Sequence, residues 1–423
     1  MPVSRFDAQS WAASGLAVRS LDLSRFAKER AAVAEICSRV LAHGDQALRE
    51  LGRRFDGWAP GEGESFEVPQ ADFAAAIGRV ASADRAALEF AAARIREFHE
   101  RQVPAEPAIS HAVELVTRAV GRAGIYAPGG RAAYPSTVLM TAIPARVAGV
   151  SELVLATPPR PDGTVPDAIL SAAHIAGVDR VYRVGGAQAI AALAYGTASI
   201  ARVDLIAGPG NIYVTLAKRE VFGTVGVDGI AGPTEVVVVA DAKARPDFVA
   251  ADLAAQLEHD PLAWGVLFTE SAQLADRVEE ELASLLRGLE RADIIREANC
   301  CLVVADTIDQ ALALADDFAP EHMLIVAEDA SRLAGKVRNA GALFVGPYAT
   351  VPLGDYTAGP NHTLPTSGAA RFASPLGVHT FLKRTSVLSL GREDLEALRD
   401  ATVRLAHLEG LGAHAHAVEV RLE

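Results

Sequence analysis

I-A-G-P-T-E-V-V-V-V-A-D-A-K-A-R-P-D-F-V-A-A-D-L-A-A-Q-L-E-H-D-P, Ile230 to Pro261, is the stretch from which the rest of the chain can be placed. A Gly-Pro turn opens it. Glu235 to Ala240 is a short, β-branched apolar run between turn signals and reads as a buried strand. Asp241 to Arg245 is a loop. Pro246-Asp247 starts a helix at the position where the missing proline N–H would be unpaired in any case. That helix carries Gln256 and His259 at i, i+3, one above the other on one face. An imidazole and a side-chain carbonyl aimed at one point serve a metal or a polar substrate. The same pair also suits a helix end that faces water.

Upstream, from Gly121 to Gly232, strand, turn and helix alternate. Arg122 to Tyr126 runs as a strand into Ala127-Pro128-Gly129-Gly130. Pro135 to Gly149 is a helix, Glu152 to Ala156 a strand, Pro166 to Ala176 a helix and Arg180 to Val184 a strand. Gly185-Gly186-Ala187-Gln188 turns into the helix Ala189 to Gly196. Leu205 to Ala207 is a strand, followed by Gly208-Pro209-Gly210-Asn211 and the helix Ile212 to Phe222. Such alternation implies a parallel, doubly wound α/β sheet, with ligands at the carboxyl ends of its strands. The three glycine turns lie at those ends, with Tyr126, Gln188 and Asn211 beside them. Glycine lets a backbone approach a phosphate, and the helix that follows offers free N–H groups. No turn is a G-x-G-x-x-G, so the usual dinucleotide fingerprint is missing, and glycine turns serve α/β sheets in any case.

Downstream the alternation resumes. Trp264 to Thr269 and Cys300 to Ala305 are strands, and Ser271 to Leu289 and Thr307 to Phe318 are helices. Pro320 then ends a helix, Glu321 and His322 follow, and a strand starts at Met323. A carboxylate beside an imidazole at a strand mouth suits acid–base work, although an incidental loop pair has the same sequence. After the strand Gly341 to Gly346, the glycine- and proline-rich run Pro352 to Gly368 reads as a long structureless loop, and it holds Asp355 and His362. A charged, leucine-spaced helix follows Gly391. The tail beyond it carries Glu409, His414 and His416. The first 120 residues read as helices: Ser24 to Arg54 with a stop and a new cap at His43-Gly44-Asp45, then Ala71 to Gln102 broken near Ser82. A short strand is expected at Phe66 to Val68 and another at Val113 to Val120.

The 423 residues suggest two or three domains. A net charge of −13 with no basic run excludes a nucleic-acid surface. Three cysteines, Cys37, Cys300 and Cys301, match neither a metal spacing nor a disulfide framework, and point to a reducing compartment. The N-terminus has no apolar core of a signal peptide, and no apolar run reaches membrane-spanning length. A cytoplasmic protein is expected. Gln256 with His259, Asp355, and His414 or His416 are scattered donors that would suit Zn²⁺ if they converged.

Eight motifs decide between these readings: Y-A-P-G-G-R-A-A-Y-P-S-T-V-L-M from Tyr126, V-G-G-A-Q-A-I-A-A-L-A-Y-G-T from Val184, A-G-P-G-N-I-Y-V from Ala207, A-G-P-T-E-V from Ala231, Q-L-E-H-D from Gln256, A-P-E-H from Ala319, G-D-Y-T-A-G-P-N-H-T-L-P-T from Gly354 and A-H-A-H-A-V-E-V-R from Ala413. In that order they resemble the histidinol dehydrogenase family from end to end. The resemblance implies two NAD-dependent oxidations of L-histidinol, by way of the aldehyde, to L-histidine. It implies zinc ligands at Gln256, His259, Asp355 and His414, and an acid–base pair at Glu321 and His322. Substrate contacts are implied at Thr234, His322, Glu409 and the metal ligands, and NAD contacts at Tyr126, Gln188 and Asn211. It also implies two Rossmann-like doubly wound αβ domains and a homodimer whose C-terminal helical tail reaches the partner's active site. The segments would then be 1–120, the helical part of the first αβ domain; 121–232, an inserted αβ domain with the NAD contacts; 233–375, the remainder of the first; and 376–423, the tail. Thr234 stands where many members carry Ser, and His416 lies near enough to His414 to compete with it. The rival is a paralogue on the same scaffold that oxidises another polar alcohol, such as a sulfonated propanediol. Glu409 speaks against it, because a carboxylate there repels a sulfonate.

Overall fold

The computed structural model describes residues 3–16, 20–104, 112–129 and 133–423. The chain divides into two compact units: Met1–Gln102 with Val120–Phe381, and Val103–Ala119 with Leu382–Glu423.

The first unit holds two parallel sheets. One has six strands, in the order Val3–Asp7, Asn299–Val304, Trp264–Thr269, Glu235–Ala240, His322–Val326, Ala342–Val345. Every neighbouring pair is parallel. Side chains alternate across a strand, so a strand covered on both faces must be apolar at every position. Glu235–Ala240 shows this directly. Val236, Val238 and Ala240 join one core with helices Pro246–Leu257 and Ala272–Leu285. Val237 and Val239 join another with Trp11, helix Ile308–Phe318 and Leu333. The continuous valine run is therefore the signature of a central strand.

The other sheet has five strands, in the order Arg180–Arg183, Glu152–Thr157, Arg122–Tyr126, Leu205–Ala207, Gly226–Val227, again all parallel. Its helices and four of its strands lie where the alternation from Gly121 to Gly232 puts them, and Gly226–Val227 is an unread fifth strand. Chain order runs outward from Arg122–Tyr126 in one direction and from Leu205–Ala207 in the other. The switch point therefore falls between these two strands, where the sheet opens a crevice at its carboxyl ends.

Three readings change. Residues 1–120 do not all belong with the six-stranded sheet. Among the described residues, Val3–Asp7, unread as a strand in the sequence, helix Ala8–Ala13 and Leu16 do. Helix Ala27–Phe55 buries Val33, Ile36, Val40, Leu48 and Leu51 against helix Gly186–Tyr195 and its neighbours on the five-stranded sheet. The expected stop at His43-Gly44-Asp45 is present within this run: two helical pieces meet at a kink at Gly44 (φ +50°), a backbone conformation open to glycine. Val351–Tyr356 is a helix where a structureless loop is expected; Pro352 sits in its first turn, which tolerates proline. Leu382–Leu388 is a strand, antiparallel to Val113–Ala119, and was not anticipated. With helices Arg392–Leu408 and Gly412–Glu419 this pair makes the second unit. Among the described residues, no helix is long and apolar enough to cross a membrane.

Candidate active site

Glu321 immediately precedes its strand, and His322 opens it in register with Val236. Thr234 immediately precedes Glu235–Ala240. Gln256 lies at the far end of the helix that returns from that strand, and His259 follows it. All five therefore gather at the amino ends of the six-stranded sheet, opposite to where a ligand is expected on such a sheet. The first N–H groups of the strands are the donors available there. The backbone N–H of Glu235 donates to Glu321 Oε2 at 2.9 Å. The Thr234 hydroxyl donates to the same oxygen and accepts from Gln256 Nε2. Gln256 is thereby turned so that Oε1 points away from Thr234, and that buried oxygen has no donor within the protein.

The imidazole of His322 is 3% exposed. Its Nδ1 lies 3.2 Å from the carbonyl oxygen of Glu235. A carbonyl only accepts, so the proton is on Nδ1 and neutral His322 presents a lone pair at Nε2. Nε2 has no hydrogen-bond partner and lies 3.7 Å from Asp355 Oδ1. Glu321 Oε2 is 3.6 Å from Nδ1. Burial pulls the basicity of His322 down, but the charge of Glu321, the nearness of Asp355 and the Glu235 carbonyl outweigh it, and the net shift is upward. Burial raises Glu321 above the usual carboxylate range against the opposing pull of His322, Thr234 and the Glu235 amide. Asp355 goes the other way. Burial pushes it up, but His322, His362 and His259 around it prevail and hold it down as a carboxylate.

This geometry brings Thr234, Glu321, His322, Gln256, Asp355 and His259 together. Among the described residues no three His, Cys, Asp or Glu side chains converge to hold a metal ion. Yet the unsatisfied Oε1 of Gln256 and the ionised Asp355 close to His259 are the oxygen and nitrogen donors a divalent cation accepts. Helix Pro246–Leu257 also ends here, and its carbonyl end favours positive charge. Glu409, at the end of helix Arg392–Leu408, and His414, in helix Gly412–Glu419, belong to the second unit, where both are exposed.

Three residues escaped the sequence reading. Glu235 is fully buried and supplies both backbone contacts to the acid–base pair; its carboxylate accepts from Ser367 N–H at 3.1 Å. A signal was present, since a carboxylate heading an all-apolar strand has to be held by polar partners. Asp252 and Thr350 are hydrogen-bonded through their side chains, joining the helix of Gln256 to the start of the helix that carries Asp355. Their separation of 98 residues left no local signal.

The second and third glycine turns lie at the carboxyl ends of the five-stranded sheet, as expected, but helix N–H groups beside them are already engaged. The Tyr126 hydroxyl accepts from Gly186 N–H at 3.0 Å, and burial pushes its phenol up to about 12. Gln188 Nε2 donates to Asp56 at 3.3 Å. Burial raises the Asp56 carboxyl, while the Gly185 amide and Gln188 hold it back. Asn211 Oδ1 accepts from Tyr213 and Val214 N–H at 3.1 and 3.2 Å. Asp56 and Asn211 thus occupy the places at the starts of two helices that a phosphate was expected to take. Gly130, in the first turn, lies outside the described residues. All three cysteines are buried, and burial pushes the Cys37 and Cys300 thiols up to about 12, so neither is a nucleophile near neutral pH.

The sequence profile of histidinol dehydrogenase matches residues 22–422. The histidinol dehydrogenase of Bordetella parapertussis is 48% identical over 399 residues, which cover 93% of this chain and 90% of that one. That of Moorella thermoacetica is 49% identical over 401 residues, covering 93% and 94%. The crystal structure of histidinol dehydrogenase from Elizabethkingia anophelis superposes with a TM-score of 0.90 at 32% identity, covering 99% of this chain and 98% of that one.

Proposed function

The chain belongs to the histidinol dehydrogenase family, and on that premise we propose that it oxidises L-histidinol to L-histidinal and then to L-histidine, as a step of histidine biosynthesis. The observation that carries the assignment of roles is the lone pair of His322 Nε2, fixed by the Glu235 carbonyl and left without a partner beside Asp355.

Gln256, His259, Asp355 and His414 would hold Zn²⁺, which when bound supplies a fixed positive point for the imidazole and amine nitrogens of the substrate. Tyr126, Gln188 and Asn211 would hold NAD⁺ on the five-stranded sheet as a Rossmann-like half, and NAD⁺ when bound accepts the hydride. His322 Nε2 takes the hydroxyl proton as the alcohol is oxidised. Glu321, whose basicity burial has raised, takes a proton from the water that hydrates the aldehyde. Thr234 orients both Glu321 and Gln256 through one hydroxyl. Glu409 would meet the substrate ammonium. His414 and Glu409 would come from a second copy of the chain, in a homodimer with shared active sites.

The test is the NADH yield per L-histidinol consumed, before and after chelation of metal. Oxidation of an alcohol to an acid releases two hydrides, so two NADH are expected, lost with chelator and restored by Zn²⁺. One NADH with free aldehyde would remove Glu321 from its role. No NADH from folded, zinc-loaded protein would transfer the reading to another polar alcohol.

A further inference from the structure

One buried ion pair lies outside every role assigned above. Lys218, in helix Ile212–Val221, and Asp228, just beyond strand Gly226–Val227, pair with side chains 6% and 3% exposed. Both partners hold the same residue. Asp228 Oδ2 accepts from the N–H of Gly208 at 2.8 Å, and Lys218 Nζ donates to the carbonyl of Gly208 at 3.0 Å. Gly208 opens the turn Gly208-Pro209-Gly210-Asn211 at the switch point of the five-stranded sheet. Its φ is +117°, and a Cβ there would collide with the backbone of Tyr126, so the turn sits directly on the strand that carries Tyr126. The next residue is proline and has no N–H to give.

A buried ion pair is poor evidence for stability, because apolar side chains of similar volume often serve as well. What this pair does that apolar side chains cannot is fix the two peptide planes on either side of Gly208. We infer that Lys218 and Asp228 are positioning residues that clamp the Gly208–Asn211 turn in the shape that receives the dinucleotide. They set the affinity for NAD⁺ and leave the chemistry at His322 and Glu321 untouched. The inference rests on the proposed use of NAD⁺ at this sheet.

The experiment uses the full-length, zinc-loaded enzyme. Lys218→Met alone strands a buried carboxylate and risks misfolding. The informative variant is therefore Lys218→Met with Asp228→Leu, which removes both charges together. Its melting temperature is expected to stay near that of the parent, while the Kd and KM for NAD⁺ rise by about tenfold or more, as a displaced contact surface implies. Zinc content, KM for L-histidinol and kcat at saturating NAD⁺ are expected to be unchanged. Unaltered NAD⁺ affinity in the double variant would overturn the clamp. So would an equal loss of NAD⁺ and histidinol binding, which is what a merely structural pair produces. Amide hydrogen exchange over residues 208–214 needs no ligand and separates this idea from the functional reading. Faster exchange in the double variant supports the clamp even if the parent binds no NAD⁺, and unchanged exchange refutes it.

Discussion

On the proposed function, the two parallel sheets of the first unit put opposite edges to use. The five-stranded sheet offers its carboxyl ends, where helices Gly186–Tyr195 and Ile212–Val221 begin. The six-stranded sheet offers its amino ends, where helices Pro246–Leu257 and Ile308–Phe318 finish. Helix starts carry partial positive charge and helix ends partial negative charge. The helix ends at the second edge thus suit a cation, whether a metal, a substrate ammonium or an imidazolium, while at the first edge Asp56 and Asn211 already meet the helix starts, and the proposed dinucleotide site there rests on the glycine turns and their side chains. The same α/β repeat gives either environment, depending on which edge the polar side chains occupy.

If the edges divide binding from chemistry, variants on each should fail in different ways. The largest effect is expected at His322. His322→Asn should lower kcat for both oxidations by about 10²–10⁴ while zinc content and NAD⁺ affinity hold. Lost zinc in that variant would make His322 part of the metal site and blur the division. Thr234→Val removes the one hydroxyl that joins Glu321 to Gln256. A fall in kcat of about tenfold and easier removal of zinc by chelator are expected, with Thr234→Ser close to the parent. On the other edge, Asp56→Ala frees Gln188 and the Gly185 amide. It should raise the KM for NAD⁺ by several-fold and spare kcat, and a loss of kcat at saturating NAD⁺ would contradict the separation.

Two smaller effects concern the frame. Thr350→Val leaves the 8%-exposed Asp252 without the hydroxyl that holds it, and a stability loss of about 1–3 kcal/mol in urea unfolding is expected. His99 is fully buried, with Nδ1 donating to the Ile95 carbonyl at 2.7 Å. Burial, and to a lesser degree His379, lowers its basicity below the ordinary value of 6.5. As pH falls through that value the unfolded chain takes up a proton that the folded one refuses, so stability declines until the folded pKa is passed. His99→Gln should lose less stability than the parent over the same acidification. Parallel pH curves for the two proteins would remove His99 from the account.

Much of the fold could be read because its rules are local. Valines at 236 to 239 could only form a strand buried on both faces, and glycines after short apolar runs marked the turns at Tyr126, Gly185 and Gly208. Leu382–Leu388 was missed because its alternation is interrupted by Lys383, Arg384, Thr385 and Ser386 in succession. Helix Val351–Tyr356 was missed because proline and glycine inside it read as loop, although proline fits a first helical turn.

The sequence by itself determined the α/β alternation, the family and the identity of the chemically able side chains, since each depends on residue types and spacings within a few turns of chain. Only the tertiary structure decided which edge of each sheet those side chains reach and what fixes them there. Strand direction and crossover carry Glu321 back beside Thr234, 87 residues away, so that one hydroxyl serves two functional groups. They also place the Glu235 carbonyl against His322 Nδ1, which selects the tautomer. A tautomer, an orphaned amide oxygen and a clamped glycine are properties of contacts between distant segments, and no local pattern encodes them.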